Sequence, residues 1–286
     1  MLFRKISCIA FLLLGANLAY AQNVTPNNYA PPVNDPELKN LVWNKWSTPS
    51  FTVMSIDHEQ GKYLYQNIEA IKAWTTARWG FNDIKFSAEC RILCVPNKNL
   101  MKKLFGIEQS TAEVRVDETG KIKLSAIWMV FDGTPIDSIP PNLTLVILKE
   151  IEQSAGVKIG FWFKRGSIVL NSSVSQIKSF LGNGTVGFTN QDLLTVEEEA
   201  WKALDQSKKD QFDFQSACLC LLLRKEYGQK NMHLFIKNPD PKAVMGFDSD
   251  NGFELTLIRF CNNLVADIKK GRTPDDYLII SPLKRA

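Results

Sequence analysis

Near residue 140 this chain passes from segments that switch between strand and helix periods to segments that are helical throughout, and that change limits the folds open to it. Ahead of it, Ser50-Phe-Thr-Val-Met-Ser-Ile56 alternates and is rich in strand formers, predicting a first strand. A helical period then covers 59–79, with Tyr63, Ile68, Ile71 and Trp74 on a broad apolar side and Gly80 closing the segment. Phe86–Val95 is expected as a second strand and Asn97–Phe105 as a short helix stopped by Gly106. Glu113–Asp117 and Lys121–Val130 flank Glu118-Thr119-Gly120, a strong hairpin signal.

After the change the periods are helical. Pro140-Pro141-Asn142 opens a helix to about Ala155 with Gly156 as its stop, and further helices are expected over 174–181, 195–206, 214–227 and 253–270. Tyr227-Gly228 ends the helix over 214–227, and Phe253, Leu257, Phe260 and Leu264 line one face of the last. A sheet-bearing half followed by a helical half predicts an α+β fold, with lobes 49–139 and 140–286.

The opening residues bear on compartment. Arg4 and Lys5 precede an apolar run from Ile6 to Leu18 that ends in Ala19-Tyr20-Ala21, the pattern of a secretory signal peptide over 1–21. Residues 22–48 follow as an Asn/Pro-rich arm. The apolar run is short for a membrane span, so the expectation is a secreted or periplasmic chain with no stable span after cleavage. Asn23, Asn142, Asn171 and Asn183 each begin an Asn-x-Ser/Thr match, which matters only in a eukaryotic secretory pathway.

Removing the leader takes Arg4 and Lys5 from 34 basic residues against 30 acidic, so what remains is nearly neutral. Such balance, with only isolated pairs such as Lys102-Lys103 and Lys208-Lys209, argues against a nucleic-acid binder. Beyond Cys8 in the leader there are five cysteines, too few and too oddly numbered for a dense disulfide framework. Cys90 and Cys94 lie in or beside a strand, while Cys218 and Cys220 belong to an apolar helical run; buried thiols are the expected state. No phosphate-cradling loop, dinucleotide fingerprint or nucleophile elbow is present.

Two segments carry a resemblance. Leu145-Val-Ile-Leu-Lys149-Glu150-Ile-Glu-Gln153 is followed by Phe161-Trp162-Phe-Lys-Arg165-Gly166, and later by Phe214-Gln-Ser216-Ala-Cys-Leu-Cys-Leu-Leu-Leu-Arg-Lys-Glu-Tyr227-Gly228. In layout the chain resembles the gluzincin metallopeptidases of the peptidase MA-like group. There the central helix carries H-E-x-x-H, a W-x-x-E-G segment supplies the third zinc ligand, and the downstream helix reads Tyr-x-x-Ser and ends in Tyr-Gly. The resemblance spans about 50–270 in layout, with motif support at about 145–170 and 214–235.

The departures fall on the chemistry. Two histidines four apart reach one zinc from one helical face, and the glutamate beside the first activates the metal-bound water. Here Lys149, Glu150 and Gln153 occupy those positions, and Arg165 stands where the third ligand would be. A protonated lysine and an arginine offer no lone pair to a metal. Phe214 replaces the family's tyrosine and loses its hydroxyl, while His58 and His233 lie too far apart in sequence to suggest one site. The resemblance therefore implies a degenerate zinc site with no metal and no cofactor, its groove formed by Lys149, Glu150, Gln153, Trp162 and Arg165.

Glu150 is expected to pair with Lys149 or, better, with the fork of Arg165; the alternative leaves both cations in solvent. Trp74, Trp79, Trp128, Trp162 and Trp201 are read as core, and Trp43 and Trp46 as docking the arm on its own domain. Three functions fit. The first is an exported non-catalytic pseudopeptidase binding a peptide, a cell-envelope component or a protein partner. The second is a metal-independent hydrolase with Glu150 as acid or base, and the third a structural scaffold without ligand. An open cleft above 149–165 separates the first two from the third.

Overall fold

The computed structural model describes residues 41–81, 84–107, 109–131, 135–237, 240–247 and 249–271. The expected leader and most of the arm lie outside them. The described residues divide into two compact units, one within 41–71 and 85–142, the other within 72–84 and 143–271. The expected boundary at 139/140 thus moves by three residues, and the segment 72–84 joins the second unit instead of the first.

The first unit is built on a five-stranded mixed sheet in the order β1-β2-β3-β5-β4. Its strands are β1 (Asn44–Ser47), β2 (Phe51–Ser55), β3 (Cys90–Val95), β4 (Thr111–Val116) and β5 (Ile122–Val130). β2, β3 and β5 run parallel, and β1 and β4 pair antiparallel at the two edges. Parallel strands are covered on both faces, which explains the near-continuous burial of β2 and β3 where the sequence shows simple alternation. The second strand begins at Cys90, four residues later than expected.

On one face Met54, Leu93, Val95, Ala126, Trp128 and Val130 pack with Met101 and Phe105 of helix α2 (Lys98–Phe105). The capping of α2 follows its sequence closely. The Asn97 side chain accepts from the Leu100 amide at 2.9 Å, and Gly106, at φ 69°, donates its amide to the Lys102 carbonyl. Trp43 joins this core edge-on to Phe105, and the Trp46 ring lies over Gly61 of helix α1 (His58–Ala77). A Cβ at Gly61 would stand 2.3 Å from that ring, so only glycine lets the helix approach. The β4–β5 hairpin is closed by Asp117, whose carboxylate accepts from the Thr119 hydroxyl and the Thr119 and Lys121 amides. These bonds, the Thr119 hydroxyl foremost, hold its carboxyl well below the usual range.

The second unit is helical. It contains most of α3 (Pro135–Ala155), then α4 (Phe161–Leu170), α5 (Val174–Gly182), α6 (Asn190–Thr195) and α7 (Glu198–Ala203). These are followed by α8 (Gln206–Tyr227), α9 (Leu234–Lys237), α10 (Pro241–Met245) and α11 (Asp250–Lys269). α3 begins five residues before Pro140, carrying both prolines inside the helix. In place of the helix expected over 195–206 stands the shorter α7, because Val196 and Glu197 ahead of it and Leu204 and Asp205 behind it take extended conformations. Asp205 caps α8 through the Lys208 amide at 2.8 Å, so that helix starts eight residues ahead of the apolar run at 214. α8 is the axis of the unit: residues 212–223 are buried, and α4, α6 and α11 pack against it.

Two arginines close helix ends in this unit. Arg78, 2 % exposed, follows α1 and lies over the Trp74 ring, while Arg224 sits in the last turn of α8 and bonds Gln229, which in turn donates to the Ala77 carbonyl. Burial first, and the charge of Arg224 second, bring the Arg78 guanidinium down to about 9. No helix among the described residues is long and apolar enough to cross a membrane.

Candidate functional site

The end of α3, the turn after it and the start of α4 form one wall of a cleft. Gly156, at φ 62°, stops α3 and turns the chain back. The turn is fixed by Glu152, whose backbone carbonyl accepts from the Val157 amide and whose Oε1 accepts from the Ile159 amide at 2.9 Å. α4 starts at Phe161 after Gly160, so Lys164 falls one turn into the helix, on the side facing Glu152. The Lys164 Nζ lies 2.6 Å from Glu152 Oε1, and Lys149 Nζ lies 3.2 Å from Oε2. One carboxylate therefore serves two ammonium groups and one amide.

Glu197 and Glu198, at the start of α7, supply the opposite wall. Glu197 pairs with Lys158 at 2.7 Å, and Glu198 with Lys202 at 2.8 Å. The cleft is half open to solvent and holds about 340 Å³, with Val157, Ile159 and Phe161 as its apolar lining. The Phe161 ring stacks on Phe212 of α8 and meets Trp201 edge-on, so this lining is rigid. Burial lowers the basicity of Lys164; Glu152 opposes the shift, Lys149 reinforces it, and the net direction is down. Glu198 is raised by burial but lowered more by Lys202, with Lys149 and Lys164 adding to the lowering.

Of the residues expected to form a groove, Lys149 alone lines this cleft. Glu150 is 1 % exposed and Trp162 0 %, so neither presents atoms to a solvent-filled groove. Gln153 is half-buried and is not part of the lining. The expected pairing of Glu150 is also corrected: Arg165 takes Asp213 of α8, through Nε to Oδ1 at 2.8 Å and a second bond from Nη2 to Oδ2. The guanidinium lies 4.1 Å from the centroid of the Trp201 ring. Lys149 takes Glu152. The reason is helical geometry: Glu150 turns inward on α3 while Arg165 looks outward along α4 to a partner on α8.

Gly166 has a packing reason of its own. A Cβ there would meet the Ser216 carbonyl oxygen at 2.5 Å and the Cys220 sulfur at 2.7 Å, so α4 and α8 touch backbone to backbone. Phe214 is buried in α8. Cys90, Cys94, Cys218, Cys220 and Cys261 are all buried, and no disulfide joins any of them. Burial pushes the Cys94 thiol up to about 12 and raises Cys218 and Cys220 as well. His58 sits against Trp46 and Asn44 in the first unit. Among the described residues no three His, Cys, Asp or Glu side chains gather as a metal-holding set.

No protein-family model and no curated protein matches this chain. The cleft itself is what remains to be read. Glu152, Lys164, Glu197 and Glu198 are not among the groove residues expected from the sequence, yet one signal is present there. A lysine inside Phe161-Trp-Phe-Lys-Arg, in a segment otherwise apolar, is a charge placed where burial is expected.

Proposed function

We propose that this chain is an exported binding protein of gluzincin-like build that has given up metal chemistry and holds its ligand in the cleft between α3, α4 and α7. The observation that carries this reading is the open space of about 340 Å³ beside Lys149 and Lys164, with an aromatic floor and charges of both signs on its walls. A scaffold without ligand has no use for such an opening, since burying Lys164 costs stability even beside a carboxylate. Glu150 lies buried outside that opening, which speaks against a hydrolase built on it. Lys149 and Arg165, at two positions of the family's zinc ligands, are held by Glu152 and Asp213. The leader pattern over 1–21 supports export.

Mixed charge around an apolar floor suits a peptide or a cell-envelope fragment carrying both an amine and a carboxylate. The test is binding of a synthetic peptide array and of peptidoglycan fragments by calorimetry, alongside a zinc assay and a peptide-cleavage screen. Binding that weakens about tenfold, roughly 1.4 kcal/mol, in both Phe161→Ala and Glu198→Lys supports the reading. Robust cleavage abolished by Glu150→Gln would overturn it, as would binding indifferent to both cleft variants.

A further inference from the structure

Arg78 and Arg224 stand together without a counter-charge. The Gln229 side chain joins them: its Oε1 accepts from Arg224 Nη2 at 3.2 Å, and its Nε2 donates to the carbonyl of Ala77, the residue before Arg78. No carboxylate among the described residues pairs with either guanidinium, and the charge that acts on Arg78 is that of Arg224. Arg78 keeps 2 % of its surface in water, and its Nε meets no acceptor among those residues. The Nη1 of Arg224 is buried in the same condition, and so is the indole Nε1 of Trp74, whose ring centroid lies 4.7 Å from the Arg78 guanidinium carbon. Three N–H donors and two cations thus gather near the ends of α1 and α8. Burial lowers both guanidinium groups, yet Arg78 at about 9 is still charged at neutral pH.

We propose that Arg78 and Arg224 hold a phosphate-type oxyanion, either inorganic phosphate or the terminal phosphoryl group of a small phosphomonoester. A buried cation with no partner is strongly disfavoured, and two side by side repel as well. An anion between them removes both penalties and accepts from the orphaned donors. A guanidinium fork matches two oxygens of a carboxylate or of a phosphoryl group, but only the tetrahedral anion has further oxygens for the second fork and the indole. The near-complete burial of Arg78 admits only a small group, and half-buried Arg224 is the part of the pair that solvent reaches. Gln229 fixes the Arg224 fork through Nη2 and leaves Nη1 for the ligand. None of these residues lines the cleft beside Lys149 and Lys164, so the inference is independent of what that cleft binds.

The probe is inorganic phosphate, with glycerol phosphate and acetate as further arms, titrated by calorimetry into the full chain at pH 7 in about 0.15 M chloride, where diffuse attraction is screened beyond about 8 Å. Phosphate or glycerol phosphate should bind with a dissociation constant of about 1 mM or tighter and raise the urea midpoint, and the preference between them tells free phosphate from a phosphomonoester. Binding by neither, or acetate binding as tightly, overturns the proposal. Arg224→Lys keeps the charge but loses the fork and should weaken phosphate at least about tenfold, whereas Lys225→Gln, at an exposed neighbour, should change it less than about threefold. Equal losses in the two variants overturn the proposal, because diffuse charge then holds the ion. Mapping on the unaltered chain needs no variant to fold. Phosphate at about ten times its dissociation constant should slow phenylglyoxal labelling of Arg224 about tenfold and leave exposed Arg259 of α11 unchanged. Labelling of Arg224 that is indifferent to phosphate likewise overturns it.

Discussion

Replacing Asp213 with asparagine tests whether position 165 belongs to packing or to a ligand site. Arg165 donates two parallel hydrogen bonds to Asp213, and the side chains keep only 22 % and 10 % of their surface in water. Removing one partner of a fully buried pair costs about 3–5 kcal/mol. Here Arg165 keeps some water, its stacking on Trp201 and one bond to the asparagine oxygen, so about 2–3 kcal/mol is expected for Asp213→Asn. With a urea slope of about 2–3 kcal/mol/M, the unfolding midpoint should fall by about 1 M. Far-UV circular dichroism is the assay, because it follows the helical unit that contains both residues. Arg165→Met with Asp213→Leu should recover most of the loss, giving a coupling energy of at least about 1.5 kcal/mol. If Asp213→Asn changes stability by less than about 0.5 kcal/mol and the two substitutions add, the pair is a passive surface bridge and the reasoning fails.

Two further outcomes follow from other contacts. Gly166→Ala must part α4 from α8 by several tenths of an ångström; overpacking of about 1–3 kcal/mol exceeds the roughly 1 kcal/mol gained in helix propensity, so the urea midpoint should drop, and an unchanged or raised midpoint refutes the close contact. For Cys94, the folded thiol at about 12 lies above its ordinary value of 9.0, so its contribution is whole below about pH 9 and is lost as pH rises toward 12. Between pH 9 and 11, Cys94→Ala should flatten the fall of stability by about 1.4 kcal/mol per pH unit, and parallel curves for variant and parent refute the assignment.

The fold was more legible in the sequence than the site, for a physical reason. Asn97 and Gly106 around α2, and Glu118-Thr119-Gly120 in the hairpin, act through local backbone bonds, so residue identity alone locates them. The shortening of 195–206 to α7, and the early start of α8 after its cap Asp205, depend on backbone turns and capping bonds that an apolar period does not register. The pairing of Arg165 with Asp213 spans 48 residues and depends on how two helices pack, which a single sequence does not state. Glu152 shows the same limit. By pattern it is one more acid on a helix, whereas in the structure it ties the turn at Ile159 and two lysines together.

The strand order of the first unit bears on how the protein is made. β5 lies between β3 and β4 although it is the last of the five to be synthesised. A nascent chain ending near residue 120 therefore has an open edge on β3, while β4 has no strand to pair with. Until residues 122–130 emerge, those backbone groups are available to any other extended chain. A holding factor that keeps the growing polypeptide unpaired would be needed up to that point in its synthesis and could release it soon afterwards.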